Sequence, residues 1–403
     1  MNKKKVLFYI FIIIGLLLLL GGSVLYAFER QGRLDDKKEQ EQAQNKDVEG
    51  YDSKDLGSSE DIPEPTPEPS PTPEPSPTPI VEDQEDDPSP IIMAFAGDIN
   101  FDESSKPIRK YDEEAKGIVG GISQDLIDEM TNANVMMLNN EFAYSLSGTK
   151  AANKQYTFRA NPERVNILHE MGVDIVSLAN NHSLDYGEEA LLDTFDSLDD
   201  AGIDYVGAGI NRDRAKAPIY YTIEDKTIGI VAASHVIPVM DWYATDTRPG
   251  VIGTYVPAQF TPSIEEAKAN SDFVVVYVHW GKENTHNLLD YQKNLGKLYI
   301  DAGADAVIGS HPHVLQGIEI YQGKPIVYSL GNFWFSSATR ETALFKIILN
   351  PDNSMDFQIV PAMCEDTYTY MIHDEIEKKE YFDFIESISF GIKIDENGFI
   401  QAQ

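Results

Sequence analysis

The sequence predicts an α/β domain with a β-rich tail over residues 91–365, and three observations predict it. From Ile91 onward, short apolar runs of strand length alternate with amphipathic stretches of helix length. Four of those runs share one layout: a helix ends in Asn, Gly or another small residue, a buried run follows, and a polar cluster closes it. They are NANVMMLNNE, MGVDIVSLANNH, NSDFVVVYVHWG and AGADAVIGSHPH. Beyond His313 the helical period gives way to consecutive β-type runs.

In chain order, IIMAFAGD reads as a buried strand, ISQDLIDEMTNA as a helix and VMMLNNE as a strand. NPERVNILHEMG is a helix with Pro162 in its first turn, where the missing N–H costs nothing. VDIVSLANNH is a strand, GEEALLDTFDSLDDAG a helix and IDYVGAG a strand. IYYTIEDKTIGIVAAS reads as a hairpin turning at Asp225–Lys226. IEEAKAN is a helix before the strand DFVVVYVHWG, and LDYQKNLGKLYIDAGA a helix before DAVIGSHPH. LQGIEIYQGKPIVYSLGNF, ALFKIIL and DFQIVPAMC are β. The remainder, 366–403, reads as a C-terminal extension whose EIEKKEYFDFIESISF is an amphipathic helix.

The segment before residue 91 has a different character. Lys3, Lys4 and Lys5 precede an uncharged apolar run over residues 6–28. A bilayer-spanning helix needs about 20 such residues, so this reads as a transmembrane signal anchor with residues 1–5 cytoplasmic. Gly22, Ser23 and Ala27 are also compatible with leader cleavage. Residues 29–90 form an acidic, Pro-rich linker. In EPTPEPSPTPEPSPTP, proline at every second or third position forbids helix and favours an extended, disordered spacer. The expected location is the cell membrane, single-pass, with the main domain extracytoplasmic.

Composition narrows the chemistry. The 66 acidic against 32 basic side chains give a formal charge of -34, which repels a phosphate backbone and argues against nucleic acid as a partner. One cysteine, Cys364, permits neither an internal disulfide nor a cysteine-based zinc site. Any metal chemistry therefore falls to oxygen and imidazole ligands.

Ligands of α/β sheets bind beyond the carboxyl ends of the strands. Five strands deliver Asp98, Glu141, Asn180–Asn181–His182, His279 and His311 with His313 to that edge. Imidazole suits Mn, Zn or Fe, and a carboxylate can bridge two ions, so one or two divalent ions are expected there. With an unperturbed pKa near 6.5, His182 is suited to giving a proton to a leaving alkoxide. Arg159, Trp280 and Asn332 are candidate substrate contacts; for each, a purely structural role remains the alternative. Asp185 either caps the next helix or orients His182.

GD at Asp98, NNE at Glu141, ANNH at His182, HWG at His279 and GSHPH resemble, as an ordered set, the motifs of CapA-type capsule-biosynthesis proteins. These include the membrane-anchored subunit of poly-γ-glutamate synthase. YTFRANPE and YSLGNFWF resemble that family as well. The family domain is similar to calcineurin-like metallophosphoesterases, so the resemblance implies a four-layer α/β/β/α sandwich. It also implies Asp98 and His313 on a first metal, Glu141 bridging, Asn181, His279 and His311 on a second, and His182 as proton donor. Two positions depart from the metallophosphoesterase pattern. Asn100 stands where a histidine is usual, and Glu141 where an aspartate is usual.

The resemblance implies capsule biosynthesis or export, with other synthase subunits, the membrane and an anionic polymer or phosphorylated substrate as partners. The alternatives are a secreted metal-dependent phosphoesterase and a non-catalytic polymer-binding module.

Overall fold

The computed structural model describes residues 89–403. The expected anchor and nearly all of the linker lie outside them. Among the described residues no helix is long and apolar enough to cross a membrane.

Two mixed sheets carry the fold. The first contains β1 (Ile91–Ile99), β2 (Val135–Asn140), β3 (Ile175–Ser177) and β4 (Asp204–Val206), all parallel. The second begins with the hairpin β5 (Ile219–Ile223) and β6 (Lys226–Ser234) and adds β7 (Phe273–His279), β8 (Ala306–Ser310), β9 (Leu315–Tyr321) and β10 (Lys324–Leu330). The chain then returns to the first sheet through β11 (Asn332–Trp334), β12 (Arg340–Leu349), β13 (Met355–Glu365) and β14 (Tyr368–Met371). The strand orders are β14-β13-β12-β1-β2-β3-β4, with β11 also on β1, and β9-β10-β8-β7-β6-β5.

The layers follow from where alternate side chains go. In β7, FVVVYVH is buried throughout. Phe273, Val275 and Tyr277 enter a core shared with Met93, Phe95 and Met137 of the first sheet. Val274, Val276 and Val278 enter a second core with Phe260, Ile264, Leu295 and Tyr299. A third core joins Ala94, Met136 and Leu138 to Leu126, Leu191 and Leu198. The order is therefore helices, sheet, sheet, helices. A strand buried on both faces shows no polar alternation, which is why these runs read as continuously apolar. Each such Val or Phe contributes about 1.5–3 kcal/mol of burial, an upper figure.

The helices are α1 (Lys106–Glu114), α2 (Gln124–Thr131), α3 (Asn166–Glu170), α4 (Glu188–Ala201), α5 (Arg212–Lys216), α6 (Thr261–Ala269), α7 (Asp290–Asp301) and α8 (Glu375–Ile388). α1 is absent from the sequence reading, although Ser105 caps it through Ile108 N and Pro107 sits in its first turn. The helix expected after Asn161 begins as a 3-10 turn over Pro162–Val165. The strand expected over 173–182 stops at Ser177 and leaves ANNH in an irregular loop. The hairpin turns one residue early, at Glu224–Asp225, with Glu224 at φ +52°. Residues 366–403 pack onto the domain: β14 extends the first sheet, and Tyr381, Phe382 and Ile385 of α8 fill the core between the sheets.

Candidate metal centre

The parallel strands of both sheets end at one place. Tyr277 Oη donates to the Ala96 carbonyl at 2.7 Å, tying the second sheet to the first beside Asp98. The β1–β2 register shifts between Phe95 and Asp98, which re-aims the aspartate. Gly97 permits this: a Cβ there would stand 1.9 Å from the Gly331 carbonyl oxygen, the group that accepts from Asp98 N. Asp98 is then paired with Asn139 on one side and Asn332 on the other.

Around it the cluster closes. Glu141 Oε1 lies 3.7 Å from His182 Nε2, 3.7 Å from His279 Nε2 and 3.9 Å from His313 Nε2. His313 Nδ1 lies 3.3 Å from Asp98 Oδ2 and 2.8 Å from Asn332 Oδ1. Asn181 Oδ1 lies 2.7 Å from His279 Nε2. Ligand atoms of Asp98, Glu141 and His279 lie within 4.8 Å of one another, and so do those of Glu141, His311 and His313. All six residues expected to hold metal are thus brought together, with His182 beside them. His311 at φ +96° and His313 at φ +58° flank Pro312 in a backbone region that non-glycine residues rarely occupy. Such strain persists where surrounding contacts hold it, as the Asp98 and Asn332 bonds do here.

The donor set fits a divalent ion. Glu141 Oε1 and His311 Nδ1 are buried and have no hydrogen-bond partner. An orphaned buried acceptor costs about 1–3 kcal/mol unless something fills it. Burial and then the Asp98 charge push the Glu141 carboxyl well above its ordinary range. Burial drives His279 well down, and burial with the His313 charge drives His311 to about 3. His182 is lowered by burial against the pull of Asp185. Burial also opposes charge on His313, yet its Asp98 bond and the Asp98 charge raise it overall. His182, His279 and His311 thus keep free lone pairs, while the Glu141 carboxyl lacks enough positive charge nearby.

His182 is the most constrained group. Its Nδ1 lies 2.6 Å from Asp185 Oδ2, its ring stacks on Phe158 at 4.3 Å, and its Nε2 faces Glu141. Asp185 therefore orients His182, while Gly187 stands at the start of α4. Asn180 holds the loop, donating to Asn139 Oδ1 and the Asn140 carbonyl and accepting from His182 N.

The other candidates are placed as follows. Asn332 holds His313. The Arg159 guanidinium lies 4.1 Å over the Tyr186 ring and donates to the Ser147 carbonyl. Trp280 is fully buried in the outer core and donates to the Tyr328 carbonyl. Beside them, though not among the candidates, His235 stacks on Tyr291, with its backbone N–H on the His279 carbonyl. Asn100 is buried, and its Oδ1 accepts from Asp102 N at 2.8 Å, so it shapes its own turn.

Two residues have roles in the site that the sequence reading did not assign. Asn139 Nδ2 donates to Asp98 Oδ1 at 2.7 Å and lies 3.3 Å from His279 Nδ1. Its signal was a pair of amides, Asn139 and Asn140, closing an apolar strand. Lys154 is mostly buried, and its ammonium contacts Asp185 Oδ1, the Asn181 carbonyl and, at 3.1 Å, His182 Nδ1. Nothing local marks it.

Residues 92–337 match the model of one family, "Bacterial capsule synthesis protein PGA_cap". The chain belongs to that family. PGA_cap relatives include the PGA biosynthesis protein CapA of Bacillus subtilis (strain 168), 38% identical over 53% of this chain and 56% of its own. The capsule biosynthesis protein CapA of Bacillus anthracis is 31% identical over 57% of each. A probable polyglutamine synthesis accessory protein of Mycobacterium tuberculosis (strain ATCC 25618 / H37Rv) is 33% identical over 51% of this chain and 56% of its own. The chain spans a little over half the length of these curated relatives. Among solved structures, a putative 5'-nucleotidase from Staphylococcus aureus is 14% identical, covers 73% of this chain and 58% of its own, and has a TM-score of 0.41. That overlap is too low to bear on the fold, which rests on the strand order and the three cores.

Proposed function

We propose that this PGA_cap protein serves the making or export of an anionic capsule polymer, poly-γ-glutamate, and that it does so through a divalent ion at the strand ends. The observation that carries the reading is the buried Glu141 Oε1, unpartnered and faced by three imidazole nitrogens at 3.7–3.9 Å. Family membership and the names of its relatives support the polymer. The apolar run over 6–28 and the spacer after it support an anchored domain outside the membrane, where it would meet other synthase subunits.

Asp98, Glu141, Asn181, His279, His311 and His313 would hold the ion, which as Mn, Zn or Fe would activate water and offset negative charge on a substrate. One or two ions would fit this donor set. The turn made by Asn100 leaves the Asp98 side without the usual extra imidazole. The chain's own residues set the rest. Asp185 fixes His182 through Nδ1 and leaves Nε2 to hold or deliver a proton at the cluster. Phe158 closes one face of that ring against water. In a chain of formal charge -34, a polyanion would find its positive field at the ion.

The His182–Asp185 pair favours turnover over bare binding, and with it a second reading, metal-dependent hydrolysis of a phosphoester. Two measurements separate the readings. Cells carrying Glu141→Gln as their sole copy should lose surface poly-γ-glutamate; wild-type polymer levels would sink the capsule reading. The full chain, purified in detergent with Mn²⁺, should cleave model phosphodiesters only under the hydrolase reading.

A further inference from the structure

We propose that Lys154 is the positioning residue of the His182 proton site, holding Asp185 and the loop over residues 149–158 in place around that imidazole. This rests on the reading of His182 as a proton carrier. Lys154 enters the site from a segment without regular structure between β2 and α3. Its ammonium donates to two acceptors on the opposite loop, Asp185 Oδ1 and the Asn181 carbonyl, and lies 3.1 Å from His182 Nδ1, whose own proton goes to Asp185. It also lies 5.0 Å over the Trp242 ring, which walls it from the other side.

Asp185 is the hub. Its carboxylate accepts from Phe158 N at 2.7 Å and pairs with His182 Nδ1 at 2.6 Å, while its carbonyl accepts from Ala151 N at 2.7 Å. Its side chain has no exposed surface. An aspartate buried this way, with one backbone N–H and the imidazole edge as its other partners, would be poorly compensated; the Lys154 charge supplies the missing countercharge. The same contacts fasten the segment that carries Phe158 onto His182. Remove the ammonium, and Asp185 loses a partner, the loop loses its central pin, and the imidazole loses both its ring contact and its fixed edge.

The consequence falls on one step. In hydrolysis of a phosphodiester, water oxygen bonds to phosphorus, the bond to the leaving oxygen breaks, and that oxygen takes the proton from His182 Nε2. Solvent accepts the proton released by the water and later restores the one on His182. A misplaced imidazole slows departure of a poor leaving group far more than a good one.

The test uses the full chain in detergent with Mn²⁺, as wild type, Lys154→Met and Lys154→Arg. Two substrates are compared, methyl phenyl phosphate and methyl 4-nitrophenyl phosphate. Lys154→Met should lower kcat for the phenyl ester by roughly tenfold or more, with KM little changed. The nitrophenyl ester should fall several-fold less, and Lys154→Arg should recover most of the loss. Equal losses on both esters would overturn the proposal. Amide exchange at Ala151 and Phe158 gives a readout independent of turnover. Protection should fall in Lys154→Met and return in Lys154→Arg; unchanged protection in Lys154→Met also overturns it. If wild type cleaves neither ester, hydrolysis is what fails, and the exchange result alone decides Lys154.

Discussion

At the amino edge of the sheets, Asn134, Asp174, Asp272 and Asp305 each make the same two-point clamp. The backbone N–H of each donates to a carbonyl on the neighbouring strand, and its side chain accepts the N–H of that same residue. The partners are Ile92, Met136, Thr227 and Val274, at 2.8–2.9 Å for the side-chain bonds. Asp305 also takes Lys268 and Lys324, both at 2.9 Å. At the carboxyl edge of the same strands, Glu141 Oε1 and His311 Nδ1 have no partner, and His311 and His313 sit at positive φ. Polar side chains cap both ends. One end is satisfied within the chain, and the other is left open for something the chain does not supply. The two edges therefore differ in kind: substitution at the first should cost stability, and at the second, ligand.

The sharpest test of that division is Glu141→Gln. Changing a group that only orients a metal ligand costs about 10–100-fold in metal affinity, so loss of this central carboxylate should exceed about 100-fold by calorimetric titration with Mn²⁺. The metal-free protein should respond in the opposite sense. A carboxyl whose folded pKa lies above its unfolded one loses stability as pH rises through the unfolded value, and glutamine carries no such loss. Metal-free Glu141→Gln should thus melt higher than wild type at pH 8; a lower melting temperature would break the comparison.

Next in size is Asp305→Ala, which strands the Val274 N–H and two part-exposed lysines. About 2 kcal/mol of stability should go, read by urea unfolding, with Mn²⁺ affinity unchanged. A change in affinity would show that the two edges are not independent.

Smaller again is a pH effect confined to the open edge. Glu141 and His313 are both raised, so in the metal-free state they retain protons above their ordinary ranges and must release them to an ion. His279 and His311 are lowered and already neutral, so they release none. Affinity should rise with pH by about tenfold per unit for each proton released, then level off. Titrations in buffers of different ionisation heat count those protons; a count of zero would contradict the raised carboxyl.

The smallest effect should come from Asn134→Ala, which removes one clamp to Ile92 N and should cost about 1 kcal/mol without touching affinity.

Much of the open edge was legible because its residues follow strands. Asp98, Glu141, Asn181, His279, His311 and His313 each lie at or just past an apolar run, and parallel strands bring such positions to one edge. The clamps were half-visible: the sequence showed Asn, Val-Asp, Ser-Asp or Ala-Asp ahead of each run, without showing what those side chains accept. Lys154 and α1 were not legible. Lys154 sits in a stretch with no period, and its partners lie 27 to 31 residues away. α1 is a short polar helix whose cap signal stood without an apolar stripe to support it. Asn139 was read as part of a motif, although its work is to bridge Asp98 and His279.

By itself the sequence determined the alternation of strands and helices, the order of the motifs and the donor types available for an ion. Those are local properties, set by apolar period and residue chemistry. Tertiary structure alone decided that Glu141 Oε1 goes unpartnered, that Asp185 orients His182, that Asn100 turns to its own backbone and that Lys154 reaches the site. Each depends on which loops meet once two sheets pack face to face, and that meeting is fixed by burial summed over the whole core, which no short stretch of chain encodes.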